Sequence, residues 1–264
     1  MKRQLLCAIC VLLLAGCATR GAGLSTESNI QRPVSELPAT SERQAGAKIH
    51  VDLGTAYFKA GRFGVALDEA RVAQAFDPEY APVYHLFGQI YMYLDDKVAA
   101  RQNFEKASAL APGDPEINNT YGWFLCASGE ERAGLERLAT VVRNPYYRTP
   151  TRPFTNAGLC YLRLNEDEAA ERQFQLAVQA DPSNTLALYQ LASLAYKRGA
   201  YDIANGYLQT LQQQAVPTAE SLLLGTRIAR KLGNRENEAS FATQLRSRFP
   251  TSKEYETYSK EQSR

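Results

Sequence analysis

The sequence predicts an all-α protein, a right-handed α-solenoid of six helix-turn-helix units spanning residues 47–252. Two observations predict it. Proline recurs after helical stretches at Pro78, Pro112, Pro182 and Pro250, at intervals of 34, 70 and 68 residues. Aligned on a period of 34, the eighth position of each first helix reads Gly54, Gly88, Gly122, Gly158, Ala192 and Gly225, small in every unit, where the second helix of a pair crosses at close range.

Residues 1–16 read as a signal peptide. Lys2 and Arg3 precede an apolar run from Leu5 to Leu14, and ten residues rise only about 15 Å as a helix, half of a roughly 30 Å bilayer core. Leu14, Ala15, Gly16 and Cys17 then resemble the bacterial lipobox, which implies that Cys17 is acylated and becomes the first mature residue. The alternative is an ordinary secretory signal with a chance Cys at the cleavage point. By the same resemblance, Ala18 in place of Asp implies the outer membrane of a Gram-negative cell, with the domain lipid-anchored and facing the periplasm.

From Cys17 to residue 46 the chain reads as a lipidated linker. Up to about Gln44 it is rich in Ser, Thr, Pro, Gly and charge without apolar period, so a disordered tether averaging roughly 30 Å end to end is expected. Loss of residues 1–16 takes Lys2 and Arg3 from the 30 basic residues, and the remaining 28 balance 28 acidic ones. A neutral mature chain argues against nucleic acid, which requires a clustered basic face.

The six units are 47–80, 81–114, 115–148, 151–184, 185–218 and 219–252, on the period of tetratricopeptide repeats, each a pair of antiparallel helices. The eleventh position of the first helices reads Tyr57, Tyr91, Leu125, Tyr161, Ala195 and Ala229, filling the space between paired helices. Second helices place Ala66, Ala100 and Ala170, then Ala70, Phe104 and Phe174, then Ala73, Ala107 and Ala177 against the next unit. Asp77, Asp114 and Asp181 stand before prolines at helix starts, and Gly61, Gly129, Gly199 and Gly233 mark turns inside units. The third unit departs most, with Gly134 and Val141 at its second-helix positions, and the fifth ends in Val216 and Pro217 rather than a proline in register. Residues 253–264 are charged and read as a helical extension that frays.

A solenoid buries its apolar positions between neighbours, so function is expected from inward side chains that stacking does not need. Positions two, five, nine, twelve and thirteen of the first helices face inward and supply Val51, Phe58, Met92, Tyr93, Asn119 and Trp123 as a partner-binding groove, along with Thr55, Lys59, His85, Gln89, Cys126 and Ala127. Position twelve reads Phe58, Met92, Cys126, Leu162 and Tyr196, an apolar stripe that suits an apolar segment of another protein. The alternative for any one of these, Trp123 included, is packing within the solenoid. Catalysis finds little support. His50 and His85 are the only histidines, and no metal-ligand spacing, GxSxG, phosphate-binding glycine loop or mature CxxC occurs, so no enzyme, metal, cofactor or small-molecule substrate is expected.

Three features together resemble the type IV pilus biogenesis lipoproteins called PilF or PilW, the pilotins of the pilus secretin. They are the lipobox with Ala18, the six repeats, and the centre "INNTYGWFLCASGE" (117–130) with "NPYYRTPTRPFTNAGLCYLRL" (144–164). The resemblance implies binding of secretin subunits in the periplasm, delivery to the outer membrane through the lipid, and support of channel assembly. The runner-up is a repeat lipoprotein of another envelope machine, such as a tight-adherence pilus or an outer-membrane or peptidoglycan assembly complex.

Once Cys7 and Cys10 leave with the signal and Cys17 is acylated, Cys126 and Cys160 are the remaining thiols in an oxidising compartment. They sit at position twelve of the third first helix and position ten of the fourth. Adjacent helices lie about 10 Å apart, within reach of a disulfide across the lengthened loop of Pro145, Pro150 and Pro153. The alternative is two unconnected buried cysteines.

Overall fold

The computed structural model describes residues 30–263. No strand occurs among the described residues. Of the thirteen α-helices among the described residues, twelve fall in six pairs: α1 (Glu42–Lys59) with α2 (Phe63–Phe76), α3 (Ala81–Tyr93) with α4 (Lys97–Leu110), and α5 (Pro115–Ala127) with α6 (Glu131–Val142) come first. Then follow α7 (Thr151–Arg163) with α8 (Asp167–Ala180), α9 (Thr185–Lys197) with α10 (Tyr201–Gln214), and α11 (Ala219–Lys231) with α12 (Arg235–Arg248). The last helix is α13 (Lys253–Gln262). First helices stack on first helices, α1 on α3, α3 on α5, α5 on α7 and α9 on α11, and each also packs on its own partner, which is the construction of an α-solenoid.

Helix boundaries follow local chemistry. Ser41, Asp96, Asp114, Asn184, Thr218 and Asn234 each cap a helix by accepting from a backbone N–H of the first turn. Inside the units, four turns place glycine at positive φ, and Asp95 and Asn165 hold the same left-handed conformation at φ 59° in the second and fourth, where side chains that bond locally tolerate it.

The small eighth positions are set by what crosses them. A Cβ on Gly88 would lie 2.7 Å from the ring of Phe104, and one on Gly158 would lie 2.6 Å from Phe174. Both rings are fully buried. In the third unit the crossing is tighter still, because a Cβ on Gly134 would meet Cys126 Sγ at 2.4 Å and the Gly122 carbonyl at 2.5 Å. Glycine replaces the usual alanine there because the sulfur occupies its space. In the sixth unit Gly225 packs against Phe241, and Ile228 and Ala229, three and four positions on, are both buried.

Two expectations about the ends are corrected. The tether does not run without structure to Gln44, since α1 begins at Glu42 and residues 31–37 form a strap along the second and third units. The Val34 N–H donates to Asp114 Oδ2 at 2.7 Å, and Asn144 Nδ2 donates to the Gln31 carbonyl at 2.8 Å. Arg32 stacks over Tyr146, and Lys48 donates to the Ser35 carbonyl. At the other end α13 does not fray. Tyr255 and Tyr258 pack on Leu222, Leu223 and Leu245, and Glu261 accepts from Arg227 Nε at 3.0 Å. The signal peptide, Cys17 and Ala18 lie outside the described residues.

Asp114 is 2 % exposed and also accepts from the N–H groups of Glu116 and Ile117, so one carboxylate both caps α5 and clamps the strap. Burial pushes its pKa up against those hydrogen bonds. Asp114→Ala is expected to cost about 1–2 kcal/mol of stability and to speed exchange of the Val34 amide. Unchanged exchange at Val34 would show that the carboxylate does not hold the strap.

Candidate protein-binding groove

The inner surface carries a groove of about 320 Å³ built by five successive first helices. Phe58 comes from α1, Gln89 and Met92 from α3, Asn119, Thr120 and Trp123 from α5, Arg152, Thr155 and Asn156 from α7, and Leu186 from α9. Phe58, Met92, Asn119 and Trp123 thus meet in one place. Val51 and Tyr93 do not line it.

Val51 is 5 % exposed and sits in the core cluster with Ala47, Ala66 and Ala70, so in the first unit position five is spent on packing. Tyr93 is 65 % exposed and lies beside the groove, its ring 4.3 Å from Phe63 and edge-on to Phe58 at 6.1 Å. The apolar stripe at position twelve is likewise interrupted. Cys126 is fully buried, and Leu162 and Tyr196 pack into the cores of their own units. Arg152, Thr155, Asn156 and Leu186 were not among the expected groove residues. Carrying the register into the fourth and fifth units finds three of them, since Arg152 and Leu186 stand at position two and Thr155 at position five.

The floor of the groove is polar and internally bonded. Asn156 Nδ2 donates to Asn119 Oδ1 at 3.1 Å, and Asn119 is 1 % exposed. Asn184 Nδ2 donates to the hydroxyls of Thr151 and Thr155 at 2.7 and 2.8 Å, tying the start of α9 to α7. Arg152 Nη1 donates to Glu116 Oε2 at 3.2 Å, and burial holds the Glu116 carboxyl above its ordinary pKa in spite of that partner. His85 is no acid or base near neutral pH: its Nε2 is shut off from solvent without a hydrogen-bond partner, and burial, with the Arg152 charge second, lowers its pKa from 6.5 to about 4.

Trp123 is half-buried and leans on Cys126, Leu138, Ala157 and Cys160. Cys126 and Cys160 form a disulfide with Cα atoms 5.5 Å apart, which joins α5 to α7 directly behind this ring. A hydrophobic anchor backed by a covalent link between two helices, over a pre-bonded polar floor, suits an extended or helical segment of another polypeptide. No group of three His, Cys, Asp or Glu that could hold a metal ion occurs among the described residues.

The fold and this groove define a tetratricopeptide-repeat solenoid of the kind that binds other proteins. A family model for the tetratricopeptide repeat matches residues 81–114 and 151–184. The chain is 26 % identical, over 94 % of each sequence, to the type IV pilus assembly protein PilF of Pseudomonas aeruginosa. Against the solved structure of that species' PilF it gives a TM-score of 0.78 at 26 % identity, covering 84 % of this chain and all of the other. Against PilW, a widely conserved type IV pilus biogenesis factor, the TM-score is 0.75 at 28 % identity, covering 80 % of this chain and 97 % of the other.

The disulfide closes a loop across 34 residues, for which the chain-entropy model gives about 3–4 kcal/mol, an upper figure because helices already restrict the chain. Reduction, or Cys160→Ser, is expected to lower the thermal midpoint and to weaken whatever binds beside Trp123. Two free thiols in natively isolated, unreduced and unfolded protein would refute the bond.

Proposed function

We propose that this protein is an outer-membrane lipoprotein, anchored through acylated Cys17 and facing the periplasm, which binds subunits of the type IV pilus secretin and acts as their pilotin. The observation that carries the reading is the groove, where Phe58, Met92, Trp123 and Leu186 stand over a polar floor on five successive helices. Similarity to PilF and PilW along most of the chain supports placing that groove in pilus assembly. The order Leu14, Ala15, Gly16, Cys17 supports the anchor, and no described helix is long and apolar enough to cross a membrane.

In this reading the groove takes an apolar segment of the secretin, and the lipid carries the complex to the outer membrane. Phe58→Asp with Met92→Asp places two charges against an apolar ligand and is expected to weaken secretin binding about 100-fold or more while leaving the helical circular dichroism unchanged. Normal secretin multimers in that double variant would exclude the groove, and recovery of outer-membrane insertases or wall hydrolases instead of secretin would assign the protein to another envelope machine. Mass spectrometry of the mature N-terminus tests the anchor: a diacylglyceryl-modified Cys17 is expected, lost in Cys17→Ala, and an unmodified Cys17 or a start elsewhere would exclude it.

A further inference from the structure

The groove does not end at Leu186. That side chain is 43 % exposed and also forms a wall of a second pocket, of about 350 Å³, between α9 and the start of α11. Tyr189, Leu211, Ala215 and Val216 give the pocket an apolar lining, and Val216 is 73 % exposed. Asn184 lines the groove and Thr185 the pocket, so the two hollows adjoin at the start of α9.

The repeat register gives the direction of the path. The groove is lined by position twelve in the first unit, nine and twelve in the second, five to nine in the third and two to six in the fourth, so it crosses the first helices obliquely toward their N-terminal ends. The pocket continues that line. It takes positions one to six of the fifth unit and position two of the sixth, which is Glu220. Position two therefore reads Arg152, Leu186 and Glu220 in three successive units: a cation, an apolar side chain and an acid. Among the described residues, Arg152 is the one charged side chain lining the groove, and Glu220 the one lining the pocket. Arg152 spends Nη1 on Glu116 yet its side chain stays 51 % exposed, and Glu220 has no ion-pair partner among the described residues. Gln190 and Gln212, both lining the pocket, have amides without a hydrogen-bond partner among the described residues, and such amides suit the main chain of a ligand.

We propose that groove and pocket form one track for an extended polypeptide segment that sets an acidic side chain at Arg152, an apolar one at Leu186 and a basic one at Glu220. Charge complementarity selects this occupant, because a segment with the opposite order meets a like charge at both places. Neighbouring first helices stand about 10 Å apart, so Arg152 and Glu220 lie roughly 20 Å apart along the track, which an extended chain at about 3.3 Å per residue covers in about six residues. The track runs on past Arg152 in both directions. The anion held there is accordingly a side chain within the segment and not a chain-terminal carboxylate. The inference rests on the groove of the proposed function, but it does not require that the bound protein be the secretin.

The test is selection of tryptophan-free random peptides of about twelve residues, displayed on phage, by the full chain carrying Cys17→Ser. Affinities of the selected peptides are read from the fluorescence of Trp123, the only tryptophan of the chain. The peptides are expected to carry an acid and a base about six residues apart with an apolar residue between them. Glu220→Lys is expected to weaken such a peptide about five- to tenfold, and replacing the peptide's basic residue by glutamate to recover the loss. Changing the peptide's acid to its amide is expected to cost a similar factor on the unaltered protein, which leaves the Arg152–Glu116 bridge intact. Failure to select any peptide, selected peptides without this charge order, or an affinity that Glu220→Lys leaves unchanged overturns the proposal. Overlapping synthetic peptides covering the secretin are titrated alongside: silence from all of them, with library peptides bound, removes the secretin as partner and leaves the track standing.

Discussion

A phenyl ring lying on a bare α-carbon is the contact from which the rest of this structure is built. Phe104 fills the space over Gly88, and Phe174 fills it over Gly158. Glycine inside a helix costs about 1 kcal/mol in propensity, but a methyl group forced into either ring would cost about 1–3 kcal/mol in overpacking. The steric term wins, so glycine stays. The resulting crossing distance is repeated from unit to unit and sets how closely the first helices stand, and therefore the spacing of Phe58, Met92 and Trp123 along the inner surface.

Cohesion beyond the unit is almost all between neighbours, as in any solenoid. Arg101 with Glu130, Arg132 with Glu166 and Arg198 with Glu171 run from one unit to the next, but apart from Glu171 these side chains are a third or more exposed, and such pairs are worth little. The centre has a stronger device. There the disulfide, the glycine pair Gly122 and Gly134, and the Arg152–Glu116 bridge all join the third and fourth units or tighten the third. The most idiosyncratic repeat is thus also the most cross-linked, and it underlies the groove's aromatic anchor.

Much of this was legible in the sequence for one reason: a fixed steric demand recurs every 34 residues, and only small side chains meet it. The same register located Phe58, Met92, Asn119 and Trp123 in the groove. It misplaced Val51, because position five is buried in the core of the first unit but reaches the groove floor in the third, where it is Asn119. The strap was illegible for a different reason. Its order comes from Asp114 and Asn144, which are 80 and 113 residues away from their partners in the strap, so no local period records it. In α13 two tyrosines among ten mostly polar residues carry the packing, too few to show a face.

The strap also decides how the fold bears load. It enters the domain at Gln31 against Asn144 and passes Asp114 before turning into α1, so tension on the chain ahead of Ile30 reaches the middle of the solenoid before its end. Two hydrogen bonds, one from Val34 to the buried carboxylate that ends the second unit and one from Asn144 of the third, hold the strap before α1 can be peeled from α3. The first unit is thereby shielded from traction, and a pull on the chain ahead of Ile30 is borne first at the start of α5 rather than at the end of the solenoid.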